Sequence, residues 1–114
     1  MVKKTHPPDR GDIVWVNFNP QQGSEQAGRR PALVLSPHIY NQRAGLALMC
    51  PITSQVKGYP FEVPIRVKTI SGVVLADQLR TLDWKTRKAL FIEKAKPDII
   101  TQVQQKLFLL IFGD

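Results

Sequence analysis

The chain is poor in the residues that build metal, redox and disulfide chemistry. Its 114 residues include one cysteine, Cys50, and two histidines, His6 and His38. A lone cysteine forms no internal disulfide, and its place in Leu46-Ala47-Leu48-Met49-Cys50 marks a small buried side chain rather than a nucleophile. With so few imidazoles and thiolates and no carboxylate pair at a ligand spacing, neither a zinc site nor a two-metal nuclease site is supported, and no cofactor is expected. His6 lies in a start, residues 1–9, read as flexible, and His38 follows Pro37 in a segment read as loop, so paired-histidine acid–base chemistry is not expected. No run approaches the roughly 18 apolar residues of a membrane span. Met1 to Pro8 also lacks the apolar core of a leader, which makes the cytoplasm the expected location. Acidic residues are scarce as well: nine stand against sixteen Lys and Arg, giving +7 and a pI near 9.9. Such a surface suits a polyanion, either nucleic acid or an acidic protein.

What is present supports one compact core. At 43% hydrophobic content, residues 1–114 make a single domain. Val14, Val16 and Phe18 alternate with Trp15, Asn17 and Asn19, and Phe61, Val63 and Ile65 alternate with Glu62, Pro64 and Arg66, the pattern of half-buried strands. Apolar runs at 32–35, 46–52, 73–76 and 90–92 bring the expected count to six or seven short strands, a small barrel or strongly bent sheet. The tail changes period. Pro97 suits a first helical position, Asp98 suits the positive end of the dipole, and Ile100, Val103, Leu107 and Leu110 recur every three or four residues before Gly113.

The chemically richest stretch is Gly23-Ser24-Glu25-Gln26-Ala27-Gly28-Arg29-Arg30-Pro31, a polar loop placing two guanidinium groups just before the apolar run Ala32-Leu33-Val34-Leu35. A loop fixed by a buried strand holds a carboxylate and an arginine at a defined distance, as phosphodiester anchoring requires. RNA carries its own nucleophile in the 2′-hydroxyl, so a protein that orients the phosphate and neutralises developing charge promotes transesterification without a nucleophile of its own. Arg30 at a strand start and Thr53 at a strand end suit that work. Taken alone, Arg30 and Glu25 read equally as solvated loop charges, Thr53 as a turn hydroxyl and Asp77 as a cap.

Several separated motifs shift that balance. Gly11-Asp12-Ile13-Val14-Trp15-Val16, Gly23 to Ala32, Leu35-Ser36-Pro37, Tyr40-Asn41, Pro51-Ile52-Thr53, Lys57-Gly58-Tyr59-Pro60-Phe61-Glu62-Val63 and Leu75-Ala76-Asp77-Gln78 resemble, in order and spacing, the MazF/PemK/Kid-type endoribonuclease toxins of type II toxin-antitoxin systems. The resemblance implies a mainly β, SH3-like small barrel with a C-terminal helix, a homodimer, and metal-independent cleavage of single-stranded mRNA. The products would be 2′,3′-cyclic phosphate and 5′-hydroxyl ends, with translation and growth inhibited. It assigns catalysis to Arg30, Thr53 and Glu25, with Thr53 holding the scissile phosphate. Substrate contacts fall to Arg29, Lys57, Tyr59, Asp77, Gln78, Arg80 and Arg87. Residues 53–62 imply an ACA-containing site. The implied partner is an acidic, MazE-like antitoxin lying along the groove near Arg30, Lys57, Arg80 and Arg87, with apolar side chains near Trp15 or Trp84.

Two positions depart from the family. Leu75 and Ser24 stand where related toxins carry an arginine and a histidine, which favours chemistry through Arg30 and Thr53 over an arginine–aspartate version. Two rivals remain at this level: a gyrase-poisoning toxin of the same fold and a non-catalytic RNA-binding module. The chain ends Leu110-Ile111-Phe112-Gly113-Asp114, without the tryptophan near the end on which the gyrase poisons rely.

Overall fold

The computed structural model describes residues 6–18 and 28–113. The strands are β1 (Asp12–Asn17), β2 (Arg29–Val34), β3 (Ala47–Thr53), β4 (Glu62–Arg66), β5 (Ser71–Leu75), β6 (Arg80–Leu82) and β7 (Leu90–Lys94). A short helix α1 (His38–Ala44) joins β2 to β3, a single 3₁₀ turn (Ala76–Gln78) follows β5, and α2 (Pro97–Phe112) closes the chain.

All strand pairs are antiparallel, in the order β4-β5-β3-β2-β1-β7. β3 bends the sheet because one of its edges serves two partners: Ala47 to Met49 pair with β6, whereas Ile52 and Thr53 pair with β5. The switch falls at Cys50-Pro51, and a residue without a backbone N–H suits an interrupted ladder. The result is a half-barrel with a C-terminal helix.

Each face of the central strands buries its own apolar set. Ile13, Leu33, Cys50 and Ile52 pack with Val63, Val74 and the α2 residue Val103; Val14, Val16, Ala32, Val34 and Met49 pack with Leu82 and Trp84 on the other side. Burial on both faces explains why β2 and β3 read as continuous apolar runs. Helix α2 begins at Pro97 with Asp98 in its first turn and buries Val103 against the core, as its spacing predicts. Beyond that contact, Leu110 and its neighbours emerge into solvent.

Four sequence readings are corrected. Residues 38–44 form α1 rather than a loop: its interior residue Asn41 is polar yet fully buried, so no apolar stripe announces the helix. The flexible start ends before residue 9, since Pro8 is buried with its carbonyl accepting from Asn41 Nδ2 at 2.8 Å, and Asp9 accepts the His38 N–H at 3.1 Å. Glu62 does not face water but is 9% exposed. Trp84, read as bordering a docking pocket, is buried and donates its indole N–H to the Asn41 carbonyl at 2.8 Å. Among the described residues no helix is long and apolar enough to cross a membrane.

Candidate active site

The β2–β3 register brings the two principal candidates together. Ala32 faces Pro51 and Leu33 faces Cys50, and the same antiparallel step carried two residues further sets position 30 opposite position 53. Neighbouring strands place such side chains within reach of one ligand. Arg30 and Thr53 accordingly line two adjoining clefts. One, of about 270 Å³, continues along Lys57, Tyr59, Asp77 and Gln78. The other, of about 380 Å³, continues along Arg29, Trp15, Ser54 and Ser71. The pair therefore stands where the clefts meet.

Local chemistry suits an anionic ligand. Arg30 is exposed, and among the described residues no ion pair engages it. Thr53 is half-buried, and its Oγ1 accepts the Gln55 N–H at 3.1 Å, which orients the hydroxyl while leaving its proton to donate. β5 approaches Thr53 closely. A Cβ built on Gly72 falls 2.8 Å from the Thr53 carbonyl carbon and 3.0 Å from Ser54 Cα, so only glycine fits.

Lys57, Tyr59, Asp77 and Gln78 fall on the cleft with Arg30 and Thr53, as does Arg29 on the second cleft. Arg80 and Arg87 do not line either cleft. Both reach the stem of the β1–β2 connection: Arg87 Nη1 donates to the Phe18 carbonyl at 2.7 Å and to that of Asn17 at 3.1 Å. Arg80 Nη1 donates to the same Phe18 carbonyl at 3.4 Å and lies 5.6 Å from the centre of its ring. Glu25 and Ser24 lie outside the described residues, although the stem of their loop is closed by the Phe18 N–H donating to Gly28 O at 2.8 Å. Trp15, expected beside the antitoxin's apolar side chains, lines the second cleft, and sequence reasoning overlooked Gln55 and Glu62 as cleft residues. Only Glu62 carried a signal, a carboxylate amid apolar strand positions.

Cys50 is set apart from this chemistry. Burial, with the charge of Asp77 as a lesser contribution, pushes its thiol up to about 12, so no thiolate forms at neutral pH. Among the described residues no group of three His, Cys, Asp or Glu is placed to hold a metal ion.

A family model described as a PemK-like, MazF-like toxin of type II toxin-antitoxin systems matches residues 9–111. The chain belongs to this family. It is 46% identical to the endoribonuclease toxin MazF of Escherichia coli K12 over 91% of this chain and 94% of that one. Crystal structures from Deinococcus radiodurans agree. MazF alone superposes with a TM-score of 0.84 at 52% identity, covering 93% of this chain and 97% of that one. A MazE–MazF complex gives 0.86 at 49% identity, covering 96% and 100%. The half-barrel with its C-terminal helix is thus the MazF fold.

Proposed function

We propose that this endoribonuclease toxin cuts single-stranded mRNA where its two clefts meet, with Arg30 and Thr53 on the scissile phosphate. The observation that carries the reading is the convergence of a guanidinium and an oriented hydroxyl between two clefts, which lets a strand continue in both directions. The 2′-hydroxyl loses its proton and its oxygen bonds to phosphorus. The bond from phosphorus to the 5′-oxygen breaks, and that oxygen takes a proton. A 2′,3′-cyclic phosphate and a 5′-hydroxyl result. Arg30 stabilises the charge building on the phosphoryl oxygens, Thr53 donates to one of them, and Glu25 orients Arg30. Arg29 and Lys57 hold flanking phosphates. Tyr59, 61% exposed, offers a face for base stacking, while Asp77 and Gln78 meet base edges. The reaction needs no metal, the preferred site contains ACA, and cutting in the cytoplasm stops translation and growth.

The same reading gives the toxin, one domain over 1–114, two partners. One is a second copy: Phe108, Leu109, Ile111 and Phe112 on the last turn of α2 are each more than 60% exposed, an apolar surface that pairing covers. The other is an acidic, MazE-like antitoxin drawn by the +7 charge along the RNA groove, with apolar side chains near Trp15.

The test is cleavage of a defined RNA with and without EDTA, with end-group analysis. EDTA leaves cutting intact, and deoxyribose at the scissile position abolishes it. Arg30→Ala slows it roughly a hundredfold or more, the equivalent of about 2.7–4 kcal/mol for one lost oxyanion-type donor. Cutting of the deoxy substrate, or a parental rate in the folded Arg30→Ala protein, overturns the assignment.

A further inference from the structure

The segment between β3 and β4 supplies Gln55, Lys57 and Tyr59 to the smaller cleft, yet residues 54–61 belong to no strand or helix. One side chain holds them. Glu62 Oε1 accepts the Gly58 N–H at 2.8 Å, and Oε2 accepts the Lys57 N–H at 3.1 Å. The Glu62 N–H in turn donates to the Tyr59 carbonyl at 3.1 Å, and the Ala76 N–H donates to that of Phe61 at 3.0 Å. Gly58, at φ +82°, gives the turn a backbone conformation that L side chains rarely adopt. Burying a carboxylate is unfavourable without such compensation, and here backbone donors from the substrate-facing loop provide it.

We infer that Glu62 is a positioning residue for RNA recognition: its carboxylate fixes the backbone of Lys57 and Gly58 and thereby sets where Lys57 and Tyr59 meet the nucleotides flanking the cut. This rests on the reading that the cleft of Arg30 and Thr53 takes RNA. Glu62 touches the loop's backbone through both oxygens, whereas Arg30 and Thr53 sit on other strands. Its loss therefore disturbs binding and sequence choice more than the chemical step. Glu62→Gln is the sharpest perturbation because the amide keeps the shape but turns one acceptor into a donor facing an N–H.

The experiment measures kcat and KM on a short RNA with one site, maps cut ends on a long RNA, and records thermal unfolding for the parent, Glu62→Gln and Gly58→Val. A Cβ added at Gly58 would meet nothing within 4 Å, so Gly58→Val strains the turn through its backbone alone. In Glu62→Gln, KM rises roughly ten- to a hundredfold, as loss of a charge-assisted hydrogen bond implies, while kcat stays within about twofold and additional sequences are cut. Gly58→Val shifts KM and the cut map in the same direction, and the double variant shifts them no further than Glu62→Gln. An unchanged KM and cut map in both variants, or a fall in kcat at constant KM, overturns the inference. So does a loss of activity matched entirely by the unfolded fraction in both. Failure of the underlying site reading is separate, because it appears as full activity in Arg30→Ala whatever Glu62 does.

Discussion

Gly72→Ala tests how tightly the fold positions Thr53. A Cβ at residue 72 stands 2.8 Å from the Thr53 carbonyl carbon, where ordinary contacts begin at 3.4 Å, and it crowds the carbonyl oxygen more closely still. The closer oxygen sets the displacement, on the order of 1 Å, and the obstacle is backbone rather than a flexible side-chain tip. Thr53 and Val73 are paired in the β3–β5 ladder, so the movement passes to the strand end that carries the hydroxyl. Misplacing a positioning group by about 1 Å costs on the order of a hundredfold in rate, so a shift of this size lowers kcat roughly ten- to a hundredfold. Overpacking costs about 1–3 kcal/mol of stability, which leaves a folded protein for assay. Single-turnover cleavage on a saturating RNA, at a temperature where melting shows both proteins folded, isolates the chemical step. Because both changes act through one hydroxyl, Thr53→Ala combined with Gly72→Ala loses little more than Thr53→Ala alone. A parental single-turnover rate in Gly72→Ala, or full additivity in the double variant, refutes the reasoning.

Three further outcomes follow from other parts of the molecule. Arg87→Ala removes the side-chain donor from the Asn17 carbonyl, leaves that of Phe18 with only the longer bond from Arg80, and costs about 1–3 kcal/mol, read as a lower thermal midpoint, whereas Lys57→Ala leaves the midpoint unchanged and raises KM in a salt-dependent way. Cys50, with its thiol near 12 and no exposure, resists alkylation in the native protein at pH 8 and reacts once unfolded; rapid native labelling contradicts its burial. The backbone N–H and hydroxyl of Thr86 hold Asp83 below its ordinary value of 3.8. The stability tied to that carboxylate is complete above this value and is lost as pH falls below it. The stability gap between parent and Asp83→Asn is therefore widest at neutral pH and closes in acid, as urea titrations across pH will show.

Residue patterning and motif spacing define the class of fold and the family. Period-two and continuous apolar segments locate six of the seven strands, and the spacing from Pro97 to Leu110 defines α2, because both patterns are written in which residues avoid water. The motif spacing points to one endoribonuclease family, and the match over residues 9–111 agrees. Elements held by polar contacts were not legible. α1 is built around buried Asn41, and β6 is three residues long, so neither carries a periodic apolar signal.

Tertiary structure alone decided which charged residues share a site. Arg30 and Thr53 lie 23 positions apart in the chain and meet only because the β2–β3 register aligns them. Arg80 and Arg87, equally cationic in the sequence, turn to backbone carbonyls at the stem of β1. Glu62 reads as one outward residue of an alternating strand, yet it is covered because two consecutive backbone donors of the preceding turn converge on it. Hydrophobic patterning records the distance of a residue from water, whereas the direction of a polar side chain depends on partners brought near by the fold, and no local spacing encodes them.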